Sequence, residues 1–178
     1  SGESVVLVVQ DTTYLNYSAH DFVTGLGPIG DSRSDAQGLI MHSALALTPE
    51  GLPLGFLAQR IWARSGYHCA KGLRKQKPIE AKESYRWIET LRETRKLTAP
   101  GTQVVTVCDR ESDIYEFFVA AEELKADFIV RASWDRGLHN EAYSNLWGMV
   151  QAQDCAGRTT VHLPNRSVTE ARTLELEV

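Results

Sequence analysis

Apolar and polar residues follow two rhythms along this chain, and each change of rhythm marks an element. Val5-Val6-Leu7-Val8-Val9 is an unbroken, mostly β-branched run, which predicts a strand buried on both faces of a sheet. It stops at the polar Gln10-Asp11-Thr12-Thr13. Gly, Asp and Ser dominate from Gly25 to Gly38 and predict a loop. Residues 39–48 predict a second strand and residues 52–63 a third, joined as a hairpin by Pro49-Glu50-Gly51. From Ile79 to Leu97 the apolar Ala81, Tyr85, Ile88 and Leu91 fall at helical spacing, with Pro78 ahead and Ala99-Pro100-Gly101 behind. Gln103 to Cys108 predicts a fourth strand that stops at Asp109. Ser112 is then placed to cap a helix striped by Ile114, Phe117, Phe118, Ala121 and Leu124. Residues 126–131 predict a fifth strand.

The order strand, strand, strand, helix, strand, helix, strand fits a mixed α/β sheet with helices packed on its faces. After Ala132 the pattern changes to short alternating strands at 157–164 and 173–178, with polar loops between. The expected organisation is a core over residues 1–135 and the beginning of a β-rich segment over 136–178, inside which the chain stops. The chain opens Ser1-Gly2-Glu3-Ser4 without an initiating Met, so it reads as a piece of a longer protein, with a processed natural terminus as the alternative.

Composition narrows the classes. The longest apolar runs are strand-sized, too short to cross a membrane as helices, and the start has no basic signal-peptide region. Cys69, Cys108 and Cys155 are widely spaced, which argues against a disulfide framework or a zinc site and suits a reducing cytoplasm. The formal net charge of -4 runs against a nucleic-acid-binding surface. The one cluster suited to a phosphate backbone is Arg60, Arg64, His68, Lys71, Arg74, Lys75 and Lys77.

Two aspartates stand in matching contexts. Asp11 and Asp109 each follow an apolar strand, at the carboxyl end where α/β sheets carry their sites. Val5, Leu7, Val9 and Asp11 share one strand face, as do Val105, Val107 and Asp109. On adjacent parallel strands about 4.8 Å apart the two carboxylates converge. Such a pair repels itself unless a cation lies between, and hard oxygen ligands favour Mg2+ or Mn2+. On spacing alone, an equal alternative is that each Asp caps a turn or helix.

Sequence signatures tilt that balance. Asp11-Thr12-Thr13-Tyr14-Leu15-Asn16-Tyr17 resembles the Asp-Thr-Thr-x-Leu-x-Tyr signature of bacterial insertion-sequence transposases of the Asp-Asp-Glu group (the insertion-sequence-four family). Cys108-Asp109-Arg110-Glu111-Ser112-Asp113-Ile114 resembles their second signature, Cys-Asp-Arg-Glu-x-Asp-Ile. His42 to Leu47 is similar to the family's second strand and Phe128-Ile129-Val130-Arg131 to its fifth. The matches occur in order over nearly the whole chain.

The resemblance implies a ribonuclease-H-like catalytic core followed by the start of a β-rich insertion. It implies metal-dependent cleavage and strand transfer of double-stranded DNA, at transposon ends and target, by a protein that is dimeric in its synaptic complex. Carried over, Asp11 and Asp109 are the catalytic metal ligands for Mg2+ or Mn2+. The family's third ligand, a glutamate in a Tyr-x-x-Arg-x-x-x-Glu-x-x-x-x-x-x-Lys pattern, has no match here, and Glu170, Glu175 and Glu177 are not assigned to it. The expected location is the bacterial cytoplasm, on the nucleoid when DNA-bound. Arg110, Arg131, Lys71, Arg74 and Lys75 are candidate DNA contacts. Thr12 and Glu111 are candidates for supporting the ligands from behind. The rival readings are another ribonuclease-H-like nuclease, or a degenerate element that only binds DNA or a partner.

Overall fold

A computed structural model describes residues 3–30, 34–66, 76–97, 101–165 and 170–178. The chain forms two compact units, the first ending at Ser133 and the second comprising Trp134–Val178. The first holds strands β1 (Val5–Asn16), β2 (Gly27–Pro28), β3 (Gln37–Leu47), β4 (Pro53–Trp62), β5 (Gln103–Cys108) and β6 (Asp127–Val130), with helices α1 (Tyr85–Lys96) and α2 (Tyr115–Glu123). The second holds the short helix α3 (Leu146–Gln151) and strands β7 (Arg158–Leu163) and β8 (Arg172–Glu177).

All six strands of the first unit form one sheet. β3 pairs antiparallel with β1 on one side and with β4 on the other, where the two-residue β2 also meets its first residues. β1 pairs parallel with β5, and β5 parallel with β6. Setting β2 aside, the strands lie in the order third, second, first, fourth, fifth. This is a ribonuclease-H-like α/β sheet, with three antiparallel strands extended by two parallel ones.

Both helices cover the same face of that sheet. Trp87, Ile88 and Leu91 of α1 join Phe117, Ala120 and Ala121 of α2 and Cys108 of β5 in one buried cluster. Phe128 of β6 meets the rings of Phe117 and Phe118 at 6.0 and 5.5 Å. Beneath the helices lie Val6, Val8 and Gln10 of β1, Ile40, His42, Ala44 and Ala46 of β3, and Val104 and Thr106 of β5, all buried. The opposite face carries Val5, Leu7, Val9, Val105 and Val107, which are only partly buried, and Ile129, which is 59% exposed. The expectation of a strand buried on both faces is therefore corrected. A β-branched run satisfies strand propensity whether or not its second face is covered.

Three boundaries also move. β1 does not stop at Gln10 but runs to Asn16, because β3 continues to pair with it as far as Gly38. The parallel neighbour β5 ends earlier, its last pair being Gln10 with Cys108, so polar side chains begin where the sheet loses a strand on one side. The helix expected from Ile79 is a 3-10 turn at Ile79–Ala81, then extended backbone at Lys82 (φ -96°, ψ 144°), then α1 from Tyr85. Ser112 does not cap α2. It lies in a 3-10 turn at Arg110–Ser112, and extended Ile114 (φ -123°, ψ 144°) precedes the helix.

In the second unit β7 and β8 form an antiparallel pair, with Arg158 and Glu177 bridged at 2.7 Å. α3 has no counterpart in the sequence reading. Six residues are too few to display a helical stripe, and the helix is set by its cap, the Asn145 carboxamide accepting from Gly148 N at 3.1 Å. No helix among the described residues is long and apolar enough to cross a membrane.

One glycine tests the tightness of the sheet's far end. A Cβ at Gly38 would strike the carbonyl oxygen of Leu15 on the neighbouring strand, and would lie 3.0 Å from Ile29 Cδ1. Backbone cannot yield there without breaking the pairing of Asn16 with Gly38. Gly38→Ala is expected to lower stability by about 1–3 kcal/mol, the usual cost of forced overpacking. Gly66→Ala, where a Cβ meets nothing within 4 Å, is the control. Equal urea midpoints for the two variants would refute this account.

Candidate metal centre

The site begins with the register of β1 and β5. Val9 is opposite Val107 and Gln10 opposite Cys108, so Asp11 and Asp109 follow at the next position. Asp109 is still extended (φ -80°, ψ -174°), and strand parity puts both carboxylates on the face away from the helices. The two strands run parallel about 4.8 Å apart, and their last pair lies one residue before the two acids. Both residues are exposed.

Their hydrogen bonding differs. The Asp109 Oδ1 accepts from Glu111 N at 2.8 Å and caps the 3-10 turn. The capping alternative thus holds for this residue, but it engages one oxygen of two. The Asp11 carboxylate caps nothing: no hydrogen bond or ion pair holds it among the described residues. No group of three or more His, Cys, Asp or Glu suited to a metal occurs among those residues. Two hard oxygen donors on facing strands fit one Mg2+ or Mn2+, ions that commonly take one or two carboxylates and complete their shell with water and phosphate oxygens.

The loop carrying Asp109 is fixed from below. Ser112 Oγ donates to Asp109 O at 2.8 Å, and the buried Asp113 accepts from Ser133 N at 2.6 Å. Cys108 is a free, buried thiol, pushed up to about 12 chiefly by burial. It is therefore neither thiolate ligand nor nucleophile.

Behind the pair runs a polar chain that begins on α1. Arg86 Nε donates to Thr12 Oγ1 at 3.0 Å, one Nη donates to Glu83 O at 2.8 Å, and the other meets Glu111 Oε2 at 2.6 Å. Thr12 Oγ1 lies 2.9 Å from His42 Nδ1, and His42 Nε2 lies 3.3 Å from Gln10 Oε1. Arginine can only donate. Thr12 Oγ1 therefore accepts from Arg86 while also meeting the His42 ring. Thr12 and Glu111, expected to support the ligands, are thus joined by a residue the sequence did not single out. His42 is buried and has two such partners.

Burial, then the nearby Arg86 and Arg60 guanidinium groups, push the His42 pKa down to about 4. In the unfolded chain His42 takes up its proton near its ordinary 6.5, whereas the folded chain refuses it until about 4. Between those values the unfolded state holds the extra proton, so stability present above pH 6.5 is lost as pH falls. The expected loss between pH 7 and pH 4.5 is about 2 kcal/mol from this group. His42→Gln should flatten the urea-derived stability profile by that amount. Parallel profiles for the two proteins would contradict it.

The basic candidates separate into three groups. Arg131 N continues the β5–β6 pairing by donating to Cys108 O at 3.2 Å, which sets Arg131 in the same row as Asp11 and Asp109. Arg131 and Arg110 are both exposed, and neither side chain has an ion-pair partner among the described residues. Arg60 and Arg64 are already engaged. Arg60 pairs with Glu89 and Glu93 of α1, and Arg64 with Glu83 at 2.5 Å while also donating to the carbonyls of Pro28 and Gly30. Lys71, Arg74 and Lys75, with His68, lie outside the described residues.

A scan against the profiles of known protein families gives no match for this chain.

Proposed function

We propose that this chain carries the acidic centre of a DNA transposase, a divalent-metal-dependent polynucleotidyl transferase that cuts and joins strands by in-line displacement at phosphorus. The observation that carries the reading is the β1–β5 register, in which Asp11 and Asp109 follow directly on the last paired residues and share one face. The two signatures around these residues and the third-second-first-fourth-fifth strand order support it.

Asp11 and Asp109 would hold Mg2+ or Mn2+. When bound, such an ion neutralises phosphate charge and lowers the pKa of an attacking water or hydroxyl. The chain's own contribution is placement. Asp11 stands within β1 and Asp109 on the hydrogen-bonded turn that follows β5, and the exposed Arg131 and Arg110 flank them as counter-charges for the DNA backbone. Acidic ligands at the centre and cations at the rim are what a site for phosphodiesters requires, and with a net charge of -4 DNA attraction falls to local groups of cations. The partner is double-stranded DNA.

The test has two stages. Titration of Mn2+ into this chain should show one weak site, lost in Asp11→Asn and in Asp109→Asn. The full product of the reading frame should then give metal-dependent nicking of DNA and joined strand-transfer products. Nicking without joining would assign the site to a nuclease of the same fold. A wild-type chain that binds no Mn2+ would overturn the reading.

A further inference from the structure

The backbone ladder between β1 and β5 ends one residue short of the acidic pair, at Gln10 and Cys108. Beyond that point β1 continues along β3 while the other chain turns away at Arg110–Ser112. Sheet hydrogen bonds therefore do not by themselves fix the spacing of Asp11 and Asp109. Among the described residues, the side chain of Arg86 hydrogen-bonds both continuations, at Thr12 immediately after Asp11 and at Glu111 two residues after Asp109.

We propose that Arg86 is a positioning residue: by holding Thr12 and Glu111 at once, it locks β1 to the turn after β5 so that Asp11 and Asp109 meet at the spacing one divalent cation needs. This inference rests on reading the pair as a metal site. The guanidinium is itself held. Its side chain is 10% exposed, a third bond goes to Glu83 O, and its carbon stands 5.7 Å from the centre of the Trp87 ring. A planar fork with three separate acceptors has little freedom left to lose, which is the condition for setting a distance between two other groups. Lysine, a point charge on a flexible stem, cannot reach the same acceptors in one geometry.

Charge and position make opposite forecasts, which is what makes the idea testable. Removing a cation beside a cation site, and leaving Glu111 uncompensated, should tighten metal binding if Coulomb attraction were all that mattered. A lost brace should weaken it. Supporting partners of metal ligands typically change affinity by about 10–100-fold when removed.

The experiment titrates Mn2+ into the wild-type chain and then into Arg86→Gln, Arg86→Lys, Thr12→Val and the Arg86→Gln/Thr12→Val double variant, with a thermal melt of each. The expected result is an affinity about tenfold lower in Arg86→Gln, a similar fall in Thr12→Val, partial recovery in Arg86→Lys, and a double variant no worse than the weaker single. Unchanged or tighter binding in Arg86→Gln at a retained melting temperature would overturn the proposal. Should Arg86→Gln fail to fold, the uncharged Thr12→Val decides, since unchanged affinity there overturns it equally. If the wild-type chain takes up no Mn2+, the metal reading itself falls and this proposal with it. That outcome is distinct from a wild-type site that the variants leave intact.

Discussion

Asp11→Asn and Asp109→Asn are each expected to abolish Mn2+ binding and to lower metal-dependent DNA cleavage by the full product about a thousandfold or more, while leaving the fold unchanged. The two halves of that expectation have separate grounds. A positioned divalent ion contributes several kcal/mol to stabilising a phosphoryl-transfer transition state. Losing about 4 kcal/mol of it corresponds to roughly three factors of ten in rate. Stability should hold because neither substitution removes a fold contact. Asp11 is exposed and bonds nothing among the described residues. Asn at 109 keeps an oxygen for Glu111 N, the bond that caps the turn, and Asn and Asp are near-equal caps. Cleavage that survives either change with full activity would show that the acidic pair is not the centre. Cleavage lost together with a collapse in melting temperature would show that Asp109 serves the fold instead.

The sequence made the sheet legible because strands announce themselves locally. β3, β4, β5 and β6 fall within two residues of the segments read from alternation and turn chemistry. The parity that joins Asp11 to Val9 and Asp109 to Val107 is a property of any strand, so the shared face of the two acids was also legible, given parallel neighbours. What stayed hidden depends on tertiary crossing. Nothing in Glu83-Ser84-Tyr85-Arg86 says that this arginine will arrive above Thr12 and Glu111, because those contacts span 74 and 25 residues. The engagement of Arg60 was hidden for the same reason. Arg60 lies within reach of α1 and is neutralised by Glu89 and Glu93, a pairing invisible until the helix is laid over β4. One-sided coverage was hidden too, since no local pattern in Val5 to Val9 records where α1 and α2 will pack.

Trp87→Ala is expected to be the most destabilising single truncation in the first unit, at about 3–5 kcal/mol. The indole is fully buried. It packs with Ile88, Leu91, Phe117 and Cys108, and the His42 ring meets it edge-on at 4.6 Å. A tryptophan of this kind buries about 150–250 Å², worth roughly 4–6 kcal/mol at the usual 25 cal/mol per Å². Against the 5–15 kcal/mol that typically holds a domain together, that is about a third or more of the whole. One feature works the other way. Trp87 Nε1 is buried without a hydrogen-bond partner among the described residues, so the native side chain already carries the cost of a stripped donor, on the order of 1–3 kcal/mol. Trp87→Phe removes that donor together with part of the ring, and it leaves a much smaller cavity. Its loss should therefore be well under half that of Trp87→Ala. Urea unfolding followed by far-ultraviolet circular dichroism, which does not depend on the deleted fluorophore, measures both. Similar losses for Phe and Ala would mean that the orphaned indole nitrogen costs nothing and that the hydrogen-bond accounting around His42 and Gln10 is incomplete. A loss below about 1 kcal/mol for Ala, less than expected even for a minor core truncation, would remove Trp87 from the core that sets α1, and with it Arg86, over Thr12 and Glu111.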